Sequence, residues 1–553
     1  MWKSSKDIRS DITQVRAHLE WKKQFSRTKE VFRQCEDFGK RGKSALTSEQ
    51  MQGSAEDPYK RPLRLLELAP DWQAMISSLI SKDPQHLAVM VCGPKGSGKS
   101  TFCRTLVNAL LSKASIKHQF SEQKPESDCV AFLDLDPGQP EYSPPGEISL
   151  HKLRSYSFGP PFTHPTSNGS DGLIKAHHYG YLSPKEDSYH YYRCALDLFS
   201  RYKRLLAESR SCPLIINCSG WIQGSGLEVL VNLIHDFELT DIIYTSTSGP
   251  DEVTNALSGA AKRSNTPLHQ LTSQTPEITT RTAADLRMMQ TLSYFHLDEP
   301  EANLLRWNAS PLTNIPPLVV HYAGPKQSIS AVMVLGHEQN PEFLESILEG
   351  CVVGIVAVDE DLAANWEIDM ESDIPNGHET DVEVDGSASI GINLDHNAGN
   401  TASSISNPHP TIRRTPTGIP YLPSKNHTTP PLPPSRSHSL GQALIRSIDT
   451  QTRTLLLLTP LIPSTLPSTH QKLVLVRGKL DTPTWAYAED FEFEKARRRR
   501  RERVLGEREE GESGVREWAG TQPWACAVEG GRTGSARVRR VRRDIRYKGQ
   551  KDG

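Results

Sequence analysis

Leu87-Ala88-Val89-Met90-Val91-Cys92-Gly93-Pro94-Lys95-Gly96-Ser97-Gly98-Lys99-Ser100-Thr101 decides the fold class of this 553-residue chain. The apolar residues before Gly93 read as a buried strand, the glycines interrupt it, and a helix-like stretch follows as far as Leu111. Strand, GxxxxGK[ST] loop and helix, in that order, are a P-loop; a chance glycine-rich turn would need neither flank. Each residue type has a task. Glycines let backbone N–H groups curl around a polyphosphate, and the helix N-terminus adds positive potential. Lys99 neutralises the β- and γ-phosphates, the Ser100 hydroxyl ligates magnesium, and Thr101 shares in phosphate binding. Gly93, Pro94, Lys95, Gly96, Ser97, Gly98, Lys99, Ser100 and Thr101 together are read as the ATP-binding loop.

Outward from this loop, Phe132-Leu133-Asp134-Leu135-Asp136-Pro137-Gly138-Gln139-Pro140 is a second apolar strand ending in carboxylates, where a P-loop fold places its metal-side acid. On a strand, Asp134 and Asp136 share a face, so one holds the magnesium water shell and that one or its neighbour accepts a proton from an attacking hydroxyl. Asp136 is the catalytic and metal candidate, with Asp134 and Gln139 beside the substrate. Taken alone, the pair also fits an exposed acidic strand end.

A third strand, Ile215-Ile216-Asn217-Cys218, runs into Ser219-Gly220-Trp221-Ile222-Gln223-Gly224-Ser225-Gly226. Two readings of Trp221 stand: a stacking platform for a nucleic-acid base, or a ring folded back onto the sheet. Residues 280–292 read as a helix on which Met288, Met289 and Leu292 pack while Arg281 and Arg287 stay free. Such arginines suit a lid that brings positive charge to a migrating phosphoryl group; a solvated arginine face has the same pattern. Residues 154–192 interleave basic and aromatic side chains, as a single-stranded nucleic-acid groove or a buried aromatic cluster would.

Around these motifs the chain divides. Residues 1–62 are a charged segment with a loose helical stripe, 63–315 an α/β P-loop domain with a parallel sheet, and 316–358 with 412–490 a smaller β-rich domain. Residues 359–411, acidic and then rich in Asn, Ser, Gly and His, read as a disordered insertion, and 491–553 as a basic tail. The 64 basic and 66 acidic side chains give a net charge of −2, an average that hides the acidic insertion and the basic tail. Remaining apolar segments exclude collagen-like, coiled-coil and wholly disordered classes. No run approaches the roughly 20 apolar residues of a membrane-spanning helix, and the start lacks a signal-peptide stretch, so an intracellular protein without a membrane partner is expected. Nine scattered cysteines without a CxxC spacing lead to an expectation of reduced thiols and no structural zinc.

With these residues in place, the chain resembles the polynucleotide 5'-hydroxyl-kinase family, in its ribosomal-RNA-processing, fungal-like branch. The resemblance is carried by GPKGSGKST at 93–101, FLDLDPGQPEYSPPG at 132–146, FGPPFTHP at 158–165, INCSGWIQGSG at 216–226, SYFH at 293–296, RTPTGIPYL at 414–422 and VRGKLDTPTWAYAED at 476–490. It implies ATP- and magnesium-dependent phosphorylation of RNA 5'-hydroxyl ends and a C-terminal β domain. It further implies work in a nucleolar complex with the endonuclease that cleaves the second internal transcribed spacer of pre-ribosomal RNA. By the family's pattern Lys99 and Ser100 hold phosphate and magnesium, and Asp136 matches the Walker B carboxylate. Trp221 falls in the clasp loop that grips the RNA end, and Arg281 and Arg287 fall in the lid. A β-rich N-terminal domain is also expected ahead of the kinase core, and residues 1–62 do not read as one. Two rivals remain at the level of sequence: a weakly catalytic ATP-binding scaffold, and a nucleotide switch that uses water as acceptor.

Overall fold

The computed structural model describes residues 67–118, 129–165, 172–208, 212–275, 282–298, 307–308, 310–336, 339–364, 366–368, 411–423, 432–461, 471–481, 483, 486 and 498. The N-terminal segment, Arg281, most of the acidic insertion and nearly all of the basic tail lie outside the described residues.

The apolar run before the P-loop is strand β1 (Ala88–Cys92), and all five of its residues are buried. Such a strand belongs in the interior of a parallel sheet covered on both faces. Helix α1 (Pro70–Ser81), the P-loop helix α2 (Lys99–His118), α3 (Ser188–Glu208), α4 (Ser225–Asp236) and α5 (Asp251–Arg263) supply that cover. Alternation along β1 sorts its side chains. Val89 and Val91 join Trp72 of α1 and Phe102 and Leu106 of α2, while Met90 and Cys92 join Leu198, Leu230 and Leu257 of α3, α4 and α5.

The other strands of this sheet are β2 (Val130–Leu135), β3 (Glu147–Leu153), β4 (Leu173–His178), β5 (Leu214–Cys218), β6 (Asp241–Tyr244) and β7 (Leu268–Gln270). The strand order is β4-β3-β2-β5-β1-β6-β7. Strands β2, β5, β1, β6 and β7 run parallel, with Met90 opposite Ile216 and Leu133 opposite the same residue on its other side; β3 and β4 are antiparallel additions. Because β5 lies between β1 and β2, the loops leaving their carboxyl ends are neighbours. That is where open α/β sheets bind ligands.

A second sheet of nine strands follows, in the order β11-β12-β13-β9-β16-β10-β14-β15-β8. It comprises β8 (Leu318–His321), β9 (Ala331–Val334), β10 (Val352–Asp359), β11 (Glu367–Ile368), β12 (Thr411–Arg414), β13 (Pro420–Tyr421), β14 (Ser437–Asp449), β15 (Thr454–Leu458) and β16 (Gln471–Arg477). Central β10 pairs antiparallel with β14 and β16. Its Val356 and Val358 continue the core of the first sheet, while Val353, Ile355 and Ala357 pack with Tyr322 and Leu344 on the other face. One face of the second sheet therefore closes onto the first.

The apolar runs of the sequence at 87–92, 129–135, 214–218, 242–245, 318–320, 331–335, 351–358, 455–458 and 473–476 correspond to β1, β2, β5, β6, β8, β9, β10, β15 and β16. Strands β3, β4, β7, β11, β12, β13 and β14 escaped that reading. Strand β4 lies within the basic and aromatic stretch 154–192 and β3 ends just before it, and β14, Ser-His-Ser-Leu-Gly-Gln-Ala-Leu-Ile-Arg-Ser-Ile-Asp, carries too many polar residues to read as an apolar run. The start of the predicted insertion also differs: β10 runs through Asp359, a short helix covers Glu360–Ala364, and Glu367 pairs with Thr411. Strand pairing across the sheet edge orders sequence whose composition alone argued for a loop. No helix among the described residues is long and apolar enough to cross a membrane.

Candidate active site

The P-loop is shaped by glycine backbone conformations and by packing from below. Gly98 has φ +97°, and a Cβ there would lie 2.6 Å from Cη2 of Trp72. Trp72 has no room to retreat: it is fully buried, donates its indole N–H to the Thr272 carbonyl at 2.9 Å and meets Phe102 edge to face. From the end of β6, Thr245 Oγ1 bonds Ser97 Oγ at 2.6 Å, and Gln274 N–H donates to the Ser97 carbonyl at 2.9 Å.

Lys99 is buried, and its Nζ donates to the carbonyls of Gly93 at 3.0 Å and Pro94 at 2.9 Å. Burial lowers its pKa, and the nearby Asp136 charge opposes that shift. A buried cation whose hydrogen-bond partners are neutral carbonyls is electrostatically unfinished, and a polyphosphate would complete it. Ser100 and Thr101 are half-buried at the start of α2, and Lys95 is exposed at the loop tip.

Asp134 and Asp136 separate more than alternation predicts, because β2 stops at Leu135. Asp134 is fully enclosed. It accepts from Glu141 N–H at 2.6 Å, Asn217 Nδ2 at 3.0 Å and Asp136 N–H at 3.3 Å. Burial pushes its pKa up to about 8, with those donors pulling the other way. The expectation that Asp134 touches substrate is therefore corrected: no face of it is open, and it anchors the chain that follows. Asp136 is half-buried, with Oδ1 accepting from Gly138 N–H at 3.0 Å and Gln139 N–H at 3.3 Å. Burial raises its pKa, while Lys99 and these two amides lower it. It remains the carboxylate that couples electrostatically to the P-loop lysine. Gln139 is half-buried next to it.

The loop after β5 reaches the P-loop itself: a Cβ on Gly220 would lie 2.8 Å from Lys95 Cα. Trp221 is half-buried, and its ring leans on Gly226 of α4, where a Cβ would come within 2.6 Å of Cδ2. Part of the ring is packed and part remains available, so the geometry falls between the two readings made from sequence.

Helix α6 (Ala283–Phe295) starts at a capping box between Thr282 and Asp285. Met289 and Leu292 are buried as expected, but Arg287 is not free: its Nε donates to Asp481 at 2.7 Å. A cavity of about 190 Å³ adjoins this ion pair, lined also by Met288, Leu182 and Leu480. The basic and aromatic stretch divides: Tyr179, Tyr181, Tyr191, His177, His178 and His190 are buried, whereas Tyr156 and Phe158 stack half-exposed.

Two groups here escaped the sequence reading. Asn217, a polar residue inside an otherwise apolar strand, was the available signal for a partner to Asp134. Buried Glu141 holds Arg104 of α2 and His164, each at 3.0 Å, tying the carboxylate loop to the P-loop helix; nothing in its local sequence names those partners.

Residues 93–297 match the family model described as mRNA cleavage and polyadenylation factor CLP1 P-loop. A polynucleotide 5'-hydroxyl-kinase grc3 from Aspergillus niger is 42% identical over 459 residues, which cover 82% of this chain and 55% of that protein. The Neosartorya fischeri protein of the same name is 44% identical, covering 79% and 54%, and the Gibberella zeae protein 35% identical, covering 86% and 62%. The chain thus spans little more than half the length of these curated relatives.

Proposed function

We propose that this chain, a homologue of the fungal polynucleotide 5'-hydroxyl-kinases, transfers the γ-phosphoryl group of ATP to the 5'-hydroxyl of RNA. The observation that carries this reading is the placement of Lys99 and Asp136 after strands that flank β5, with the Trp221 loop against the P-loop between them.

The residues divide the work by position. Backbone amides from Gly93 to Thr101 cradle the phosphates, and Lys99 leaves the Gly93 and Pro94 carbonyls to neutralise them. Ser100 and Asp136 form a hard-oxygen donor set that suits magnesium, which when bound would neutralise developing phosphate charge. Trp221 presents the free part of its ring to the terminal base and holds the RNA end near Asp136. Asp136 accepts the proton of the 5'-hydroxyl as that oxygen attacks the γ-phosphorus in line, and ADP leaves. Gln139 borders the acceptor. Arg281, with Arg287 once it exchanges Asp481 for phosphate, adds positive charge to the migrating group.

The motif resemblance supports a setting in pre-ribosomal RNA spacer processing, with a spacer endonuclease as partner and the nucleolus of the nucleus as location. The direct test is transfer of labelled γ-phosphate to a short 5'-hydroxyl RNA, beside the same RNA bearing a 5'-phosphate. Label on the first and none on the second is expected. Phosphate released to water at the same rate with and without RNA would contradict the assignment.

A further inference from the structure

Residues 136–146 carry prolines at 137, 140, 144 and 145, so this loop has few N–H groups with which to close on itself. Its carbonyls are taken up mostly from outside. Gln290 of α6 donates Nε2 to the carbonyls of Pro140 and Ser143, each at 2.7 Å. Gly180 N–H donates to the Gly146 carbonyl at 2.9 Å, and Gly146 N–H closes the loop onto the Pro137 carbonyl at 2.8 Å. From the second sheet, Gln442 of β14 donates Nε2 to the Pro145 carbonyl at 2.8 Å.

Gln442 is 1% exposed and Gln290 3% exposed, so neither amide exchanges freely with water. The backbone of Gln442 is itself fixed, its N–H donating to Tyr294 Oη at 2.8 Å and its carbonyl accepting from Thr459 Oγ1 at 2.9 Å. The segment after β16 adds a second hold. Lys479 N–H donates to the Gly180 carbonyl at 2.8 Å, and Leu480 covers Gly146, where a Cβ would lie 2.5 Å from Leu480 Cδ2. The side chains of Gln290, Gln442 and Leu480 fall on the loop that carries Asp136, and Lys479 N–H falls on the Gly180 turn that supports it.

We infer that Gln442 is a positioning residue of the active site: from the nine-stranded sheet it holds Pro145 and, with Gln290 of α6, sets the path of the loop that presents Asp136. The second sheet is then part of the catalytic apparatus, and a displacement of β14 displaces the carboxylate. A misplacement of about 1 Å is enough to cost on the order of a hundredfold in rate. The inference rests on the phosphoryl-transfer reading above.

The test compares the full chain with Gln442→Leu, which keeps the volume and removes the donor, and with Ser437→Ala. Ser437 lies on the same strand and donates to the Pro433 carbonyl at 2.8 Å, away from the loop. Three quantities are measured: kcat for RNA phosphorylation, Kd for ATP, and amide exchange in peptides spanning 137–146 and 93–101. For Gln442→Leu the expected result is a kcat reduced about tenfold to a hundredfold, an ATP Kd within about twofold, and faster exchange in 137–146 alone. Ser437→Ala keeps the wild-type values. If Gln442→Leu does not fold, Gln442→Met, an unbranched isostere, takes its place. Unchanged kcat and unchanged exchange in 137–146 would overturn the inference, as would equal losses in the Ser437→Ala control. An unaltered protein that binds ATP without phosphorylating RNA would overturn the kinase reading instead, and the exchange data would still decide whether Gln442 holds the loop.

Discussion

The P-loop and the carboxylate loop leave adjacent ends of one sheet, yet they are built by opposite means. Residues 93–100 take their shape from their own glycines and need neighbours mainly as walls, such as Trp72 beneath Gly98 and Thr245 beneath Ser97. Residues 136–146 are stiffened by prolines and are held by side chains distant in sequence: Gln290, Gln442 and, through Asp134, Asn217. The difference teaches that a loop which must wrap a flexible polyphosphate is made of backbone, whereas a loop which must aim one carboxylate is made by its surroundings.

If the P-loop is limited by its backbone, the smallest added side chain breaks it. Gly98→Ala places a methyl against Trp72 at a φ that disfavours L-residues, and a destabilisation of roughly 2–4 kcal/mol with loss of nucleotide binding is expected. Thermal unfolding and titration with a fluorescent ATP analogue check it.

The carboxylate loop breaks at a distance instead. Asn217→Leu leaves the enclosed Asp134 without its side-chain donor, so a loss of roughly 1–3 kcal/mol is expected together with reduced transfer. Denaturant unfolding measures the first and label transfer the second; full stability in this variant would mean that Asp134 does not depend on β5.

Trp221 lies between the two loops and sharpens the comparison. Trp221→Ala should raise KM for RNA about tenfold or more, from a stacking contribution of roughly 1–3 kcal/mol, with ATP affinity untouched. A change in ATP affinity of similar size would place the ring on the nucleotide side.

The smallest effect concerns the joint between the sheets. Glu147 follows the carboxylate loop, is buried, and accepts from Ser439 Oγ at 2.8 Å; burial pushes its pKa up to about 8 from 4.5. Between those values the folded state binds more protons than the unfolded chain. The stabilisation from this group is therefore full below the unfolded value and is lost as pH rises through about 8. Glu147→Gln removes that dependence, so its melting temperature should gain on the wild type as pH is raised from about 5 to about 8. His178 works in the opposite sense: burial lowers its pKa to about 4 from 6.5, so its contribution is present above the unfolded value and lost as pH falls toward 4.

The same contrast explains what could be read from sequence. The P-loop, its strand and its helix are consecutive, and residue type, spacing and flanks all agree. Asp136 was legible because it ends an apolar strand. The separation of Asp134 from Asp136 was not, since it depends on β2 stopping at Leu135 and on donors from Glu141 and Asn217. Arg287 looked free because its partner, Asp481, is 194 residues away. Strand β14 was missed because its polar residues are satisfied by tertiary contacts, Ser439 by Glu147 and Gln442 by Pro145, and composition carries no trace of them.

The most direct test of the account separates the two loops in one experiment, measuring ATP binding and label transfer to 5'-hydroxyl RNA for Lys99→Ala and Asp136→Asn. The account predicts that Lys99→Ala loses nucleotide affinity and transfer together, whereas Asp136→Asn keeps nucleotide affinity and loses transfer by about a hundredfold or more. Near wild-type transfer by Asp136→Asn would contradict it.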